Sequence, residues 1–175
     1  VIALIPDLLN RHVSALVLFT SWRQLNAVIS GLAEKLAEGL LVQGEGSKQA
    51  LLREHRQRID NGQSSYLFGV ASFSEGLDLP GEYCRHVVIV KLPFSVPDDP
   101  VDQAIAEWAE AQGRNAFYEI SVPDASLKLV QACGRLIRSE SDYGTISMLD
   151  KRIVTQRYGR TLIESLPPFR LDLPA

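Results

Sequence analysis

The chain has 175 residues, of which 46% are hydrophobic and 22% charged, and its formal net charge is −3. This composition excludes a disordered or fibrous protein and suits one domain with a full-sized core. The acidic balance disfavours a stand-alone nucleic-acid binder, because such proteins neutralise phosphates with a basic surface.

The first half of the chain alternates strand-like apolar runs with helix-like segments. Ala15–Thr20 (ALVLFT) is a continuous apolar run, which is typical of a strand buried on both faces. Ser21 and Ser47 each stand where a side chain can cap a following helix. In chain order, the sequence predicts a helix within Ile2–Leu9, a strand at Ala15–Thr20, a helix from Ser21 to about Ala37, a strand at Leu40–Gln43, a helix from Ser47 to about Asn61 and a strand at Tyr66–Val70.

The second half continues this alternation. Pro123 suits the first position of a helix, where its missing N–H has no partner to lose. In chain order, the sequence predicts a loop at Ala71–Gly81, a strand at His86–Leu92, a helix at Asp98–Gln112, a helix at Pro123–Arg138, a strand at Thr145–Leu149 and a helix at Thr155–Leu166. This pattern indicates an α/β fold whose parallel sheet is covered on both faces and binds ligands at the carboxyl ends of its strands.

The predicted helix that ends at Arg138 carries the strongest chemical signal. Gln131, Arg135 and Arg138 are spaced i, i+4 and i+7, so on a helix they fall within about 60° of one another. Cys133 belongs to the apolar stripe on the opposite side, and Gly134 leaves room for another surface to approach. Guanidinium groups suit phosphate oxygens, which favours a phosphate-facing edge over a solvated basic face.

Other polar features are more simply explained as structure. Residues 44–48 (GEGSK) lack the Gly-Lys pair of a phosphate loop and predict a strand-to-helix turn. The run at residues 53–58 (REHRQR) predicts a solvated helix face. Trp22 and Trp108 are predicted to pack rather than to stack on bases. Two isolated cysteines argue against a zinc or iron–sulfur site within the chain.

Three segments resemble the helicase motifs of one known family. Residues 131–139 (QACGRLIRS) resemble motif VI of the superfamily 2 helicases, in the form used by the XPD-like and DinG-like DNA helicases. Residues 72–81 (SFSEGLDLPG) resemble their motif V, and residues 15–22 (ALVLFTSW) resemble motif IV. The chain resembles the bacterial DinG-type branch more than the eukaryotic one, because of residues 76–81 (GLDLPG) and the stretch from KLPF to DDP at residues 91–100. The resemblance therefore implies a three-layer, RecA-like (P-loop NTPase-type) domain that lacks its own Walker A loop.

The resemblance implies catalytic roles for the motif VI side chains. In this family, the second RecA-like domain closes on ATP that the first domain binds with Mg²⁺. Arg138 would be the principal arginine finger, with Arg135 beside it, and Gln131 would help to arrange the nucleotide and the attacking water.

The resemblance also assigns ATP contacts to motif V and DNA contacts to motifs IV and V. Glu75, Gly76 and Asp78 would approach the nucleotide, and we expect Gly76 in a loop where a Cβ does not fit. Loop-capping carboxylates are the alternative for Glu75 and Asp78. The residues that would contact the backbone of single-stranded DNA are Thr20, Ser21 and Ser72, although Ser21 could also do no more than cap its own helix.

The chain begins at Val1 rather than Met, so we expect residues 1–175 to be a fragment of a larger protein. The Walker A loop, the DEAH-like box and any 4Fe-4S cluster would then belong to the first RecA-like domain of the same polypeptide. The isolated chain is expected to hydrolyse ATP negligibly.

Two alternatives come from other functional classes. One is a non-catalytic nucleic-acid-binding or regulatory module that keeps a helicase-like fold, and the retained motif residues argue against it. The other is a nuclease, for which the clustered carboxylates of a two-metal site are missing.

No apolar run approaches the roughly 18 residues of a membrane span, and we expect a cytoplasmic, nucleoid-associated bacterial protein without membrane contact.

Overall fold

The computed structural model describes residues 2–32, 39–95, 100–137 and 142–173. Its described part contains a five-stranded sheet in the order β2-β3-β1-β4-β5, and every neighbouring pair is parallel. The strands are β1 Ser14–Phe19, β2 Leu40–Val42, β3 Ser65–Val70, β4 His86–Ile89 and β5 Thr145–Met148. The parallel α/β sheet predicted from the sequence is therefore confirmed.

Helices lie before, between and after the strands, and a one-turn helix at Ala71–Ser74 begins the stretch Ala71–Gly81 that the sequence predicts as a loop. A 3₁₀ turn at Gly81–Tyr83 precedes β4, and a π-helix at Phe117–Ser121 leads directly into the sixth helix. The α-helices are α1 Leu4–Leu9, α2 Trp22–Leu32, α3 Lys48–Asp60, α4 Ala71–Ser74, α5 Pro100–Ala111, α6 Val122–Cys133, α7 Arg152–Thr155 and α8 Arg157–Glu164.

Four predicted boundaries differ from the structure or cannot be compared with it. The helix predicted at Thr155–Leu166 is α8, which begins at Arg157, because Gln156 is extended and Thr155 ends the separate short helix α7. The helix predicted to reach Arg138 ends at Cys133. The predicted end of α2 near Ala37 and the predicted start of α5 at Asp98 lie outside the described residues.

The chain divides into two compact units. The first consists of Val1–Lys91 and Ala132–Asp150, and it contains the whole sheet. The second consists of Leu92–Gln131 and Lys151–Ala175, and its ring cluster joins Phe94, Phe117 and Tyr158 at centroid distances of 5.1 to 5.4 Å.

The first unit is layered because side chains alternate across each strand. One face of β3, with Tyr66 and Phe68, packs in a buried cluster with Leu9 of α1 and Leu25 of α2. On the other face, Ser65 meets His55 of α3. This packing of helices on both faces of the sheet positions the loops at the carboxyl ends of the strands.

Candidate functional site

The three predicted DNA-contacting residues lie at one edge of the sheet. β1 and β3 are neighbours, and Phe19 pairs with Val70 at their carboxyl ends. Thr20 and Ser21 follow the first strand, and Ser72 follows the second by two residues. All three are exposed. The structure therefore brings them to the edge where parallel sheets bind ligands.

Ser21 caps α2, as predicted. Its Oγ accepts a hydrogen bond from the backbone N–H of Gln24 at 3.2 Å. Trp22, the first residue of α2, is 48% exposed and lies beside Gly44, where an added Cβ would be 3.7 Å from the indole ring. Trp108 is 59% exposed, so the packing predicted for both tryptophans is only partly met.

The loop after α4 exposes the predicted nucleotide-contacting groups. Glu75, Gly76 and Asp78 are exposed, whereas Leu77 and Leu79 between and beyond them are buried. Gly76 has φ +67°, and no atom lies within 4 Å of the position that a Cβ would take. The expectation that a Cβ does not fit is therefore wrong. Glycine is favoured here by the left-handed backbone and not by lack of space.

Three cationic side chains hold the carbonyl groups of this loop. Lys48 Nζ donates to the carbonyl of Glu75, and Arg56 Nη2 donates to that of Asp78 at 2.7 Å. Arg135 Nη1 donates to the carbonyl of Leu77 at 3.2 Å. The residues at 44–48 do form a turn and the start of a helix, as predicted, but Lys48 also reaches the loop.

The solvated face predicted for residues 53–58 is wrong at two positions. His55 is fully buried: its Nε2 donates to the carbonyl of Tyr83 at 2.7 Å, and its Nδ1 accepts from the Ser65 hydroxyl at 2.9 Å. Burial is the main cause that lowers its pKa. Arg56 is half-buried against the loop. Leu51, four residues earlier, gave the signal for His55, because i and i+4 share a helix face.

The predicted stripe of Gln131, Arg135 and Arg138 along one helix is wrong. After Cys133 the chain makes a tight turn in which Arg135 N–H donates to the carbonyl of Ala132 at 3.2 Å and Leu136 N–H to that of Cys133 at 3.0 Å. In this turn the hydrogen bonds join residues three apart, whereas those of an α-helix join residues four apart. The turn begins at Gly134, and glycine is a poor helix former.

Of the three motif VI residues, the structure describes Gln131 and Arg135, which belong to different units. Gln131 is exposed in the last turn of α6, within the second unit, and Arg135 lies in the turn that belongs to the first. Arg138 lies outside the described residues. Cys133 is buried as predicted, and burial raises the pKa of its thiol to about 12.

The parts of the chain that the structure describes contain neither a metal-binding cluster of side chains nor a membrane-spanning helix. Within these parts, no three His, Cys, Asp or Glu side chains gather in a way that could hold a metal ion. None of the described helices combines the length and the apolar character needed to cross a membrane.

Comparison with known proteins gives consistent matches over nearly the whole chain. Residues 7–169 match the family model described as "Helicase C-terminal domain". The chain is 48% identical over 169 residues to the "ATP-dependent DNA helicase DinG" of Photobacterium profundum, covering 95% of this chain and 24% of that protein. It is 40% identical over 165 residues to the protein of the same name from Escherichia coli K12, covering 94% and 23%.

A solved structure named "XPD_APO" shares the fold. It superimposes with a TM-score of 0.72 at 22% identity, over 93% of this chain and 33% of that one. The chain spans about a quarter of the length of the two DinG proteins.

Proposed function

Because this chain belongs to the family of helicase C-terminal domains, in the DinG- and XPD-like group of superfamily 2, we propose that it is the second motor domain of an ATP-dependent DNA helicase. The observation that carries this proposal is the 48% identity, over 95% of the chain, to a protein named ATP-dependent DNA helicase DinG.

On this proposal, ATP and Mg²⁺ are held mainly by the first RecA-like domain of the same polypeptide. Arg138 and Arg135 neutralise charge that develops on the transferred phosphoryl group, and Gln131 helps to place the attacking water. The absence of any Gly-Lys pair supports a division of labour, because this chain has no phosphate loop of its own.

The loop after α4 supplies further nucleotide contacts. The carboxylates of Glu75 and Asp78 are exposed and can accept hydrogen bonds from ribose hydroxyls or hold a finger arginine. Gly76 supports this role, since its left-handed backbone and the open space around its Cα allow a ligand to approach the main chain.

Single-stranded DNA runs over the edge formed by Thr20, Ser21 and Ser72. A hydroxyl group accepts and donates at once, so Ser21 can cap α2 through its lone pair and still donate its own O–H to a phosphate oxygen. Contacts limited to the DNA backbone carry no sequence information, which suits a translocating motor.

The finger assignment is tested in the intact protein with Arg138→Ala. We expect DNA-stimulated ATP hydrolysis to fall by roughly 10³-fold, because an arginine finger contributes that much to turnover. Binding of ATP, measured by equilibrium titration, should change little. Unchanged hydrolysis in this variant would refute the finger assignment. A wild-type protein that binds DNA but shows no DNA-stimulated hydrolysis would favour the non-catalytic module instead.

The DNA assignment is tested with Ser21→Ala and Ser72→Ala, and Ser47→Ala is a matched control. Ser47 caps α3 with the same 3.2 Å geometry as Ser21, so both alanine variants lose one helix cap. We expect only the Ser21 and Ser72 variants to weaken binding of a labelled oligothymidine, each by about fivefold. Affinity equal to that of the wild type in all three variants would show that DNA is contacted elsewhere.

A further inference from the structure

The segment from Glu75 to Tyr83 runs beside α3, from the first turn of that helix to its last. It begins at the carboxyl edge of the sheet, after β3, and returns to the amino edge, where β4 starts. Four polar contacts fix it in this order: Lys48 with the carbonyl of Glu75, Arg56 with the carbonyl of Asp78, His55 with the carbonyl of Tyr83, and Asp60 with the Tyr83 hydroxyl.

The two cationic contacts hold the main chain and not the side chains. Hydrogen bonds from a charged donor are about twice as strong as neutral ones, and that of Arg56 is short at 2.7 Å. Because the carbonyl groups are engaged from the α3 side, the carboxylates of Glu75 and Asp78 remain exposed. Leu77 and Leu79 turn inward and are 1% exposed.

One side of α3 faces the sheet and the segment beside it. Lys48, Leu51 and His55 are spaced i, i+3 and i+7 and fall within about 60° of one another, and of these Leu51 and His55 are buried. Arg56 lies about 80° from Lys48 around the helix, and from there it reaches the carbonyl of Asp78. His55, with both ring nitrogens hydrogen-bonded, fixes the rotation of α3 about its axis and hence the direction of the neighbouring Arg56.

We propose that Lys48 and Arg56 are positioning residues, which hold the backbone of Glu75–Leu79 so that Glu75, Gly76 and Asp78 are presented to the nucleotide. Their effect on the reaction is exerted through the loop. The inference rests on the proposed function, because it takes the exposed face of this loop to be the face that meets ATP.

The test uses the intact protein with Lys48→Ala, Arg56→Ala and the control Arg53→Ala. Arg53 carries the same charge on the same helix, is exposed, and makes no hydrogen bond to the loop within the described residues. We expect the two positioning variants to raise the KM for ATP by five- to tenfold with a smaller loss of kcat. The Arg53 variant should stay within twofold of wild type.

Two further measurements separate positioning from general destabilisation. The amide of Leu77, which donates to the carbonyl of Ser74 at 3.1 Å, should exchange hydrogen at least tenfold faster in the Lys48 and Arg56 variants, while the amides of β1 and β3 remain unchanged. Arg56→Lys keeps a cationic donor and should recover most of the KM. Lys48→Ala provides the same test if Arg56→Ala fails to fold, because Lys48 lies in the first turn of α3.

Two outcomes would overturn the proposal. One is wild-type exchange at the Leu77 amide in both variants, since the carbonyl contacts would then not restrain the loop. The other is faster exchange with a KM equal to that of the Arg53 variant. Either result can occur while Arg138→Ala still abolishes hydrolysis, so failure of this inference is distinguishable from failure of the proposed motor function.

Discussion

His86 is a buried titratable group whose surroundings disfavour its charged form. It is 1% exposed, its Nε2 lies 2.9 Å from the Ser147 hydroxyl, and its ring centroid lies 4.6 Å from that of His12. Burial, followed by repulsion from His12, lowers the pKa of His86 to about 4 from its ordinary 6.5. The folded chain therefore resists protonation at this position.

This pKa shift predicts acid sensitivity. Between pH 6.5 and 4 the unfolded state binds the proton more readily than the folded state, so stability falls as the pH falls through that window. Above pH 6.5 the effect vanishes. Urea unfolding of the 175-residue chain at pH 7.5 and 4.5 should show a pH-dependent loss that is smaller in His86→Gln by up to about 3 kcal/mol. Identical losses in both proteins would refute the assignment to His86.

Cys133 predicts a second residue-level result. Burial raises its pKa to about 12, and Cys84 is also fully buried, so neither thiol is accessible as a thiolate near neutral pH. A maleimide at pH 8 should label neither cysteine in the folded chain and both in urea. The exposed variant Ser30→Cys, measured alongside, should be labelled at once, and rapid labelling of Cys133 without denaturant would contradict its burial.

The burial of a single residue was predictable from the sequence where the residue belonged to a periodic apolar pattern. Cys133 lies on an apolar stripe and is in the core, as predicted. The burial of His55 was not predicted, because the residue lies in a run rich in arginine, although its spacing from Leu51 indicated burial. Arg56 had no such signal, because its partner is a backbone carbonyl, which every residue possesses.

At the scale of elements, the helix caps are the most exact sequence predictions. Ser21 and Ser47 each accept from the backbone N–H three residues on, at 3.2 Å. Replacing either by Ala should lower the free energy of unfolding by about 1 kcal/mol, because one N–H of the first turn loses its partner. Asp replacements, which retain a capping oxygen, should restore most of this loss in urea titrations.

Gly144 controls how β5 joins the sheet. The N–H of Thr145 donates to the carbonyl of Arg85, and a Cβ on Gly144 would lie 2.3 Å from that same oxygen. Gly144→Ala should therefore push the start of β5 away from β4 and destabilise the chain by about 1–3 kcal/mol. Gly46→Ala is the control, because no atom lies within 4 Å of its added Cβ. Thermal unfolding midpoints that fall equally in both variants would contradict this.

The end of α6 shows why periodicity alone misplaces boundaries. Cys133 and Leu136 are both buried, so the apolar spacing continues past the helix and mimics one more turn. A 3₁₀-like turn also buries residues three apart, and only Gly134 marked the change. The resemblance to motif VI was unaffected, since it depended on residue identities and not on helix geometry.

On the scale of the whole molecule, the proposed division of the motor between two domains makes a direct prediction. The isolated chain should hydrolyse ATP no faster than a buffer control, with or without single-stranded DNA, because it lacks a phosphate loop. A malachite-green phosphate assay checks this. Robust turnover that disappears in Arg138→Ala would refute the assignment of ATP binding to another domain.

The strand positions, all within a few residues, were available from sequence, but the strand order was not. The central strands β1, β3 and β4 are mostly apolar, so their patterns indicate that both faces of the sheet are covered but do not identify which strands are neighbours. The two compact units were also not predicted, because both have ordinary composition and the chain passes from one to the other and back.

The position of β5 at one edge of the sheet has a consequence for the nascent chain. β1 to β4 leave the ribosome first and can pair, whereas β5 follows only after Leu92–Gln131 has been synthesised. During that interval the apolar strand β4 (HVVI) is an open edge whose amide and carbonyl groups can pair with another chain. We therefore expect this segment of the growing chain to be prone to aggregation after β4 has emerged from the ribosome and until β5 has emerged and paired with it, and a chaperone that binds extended apolar segments would act there.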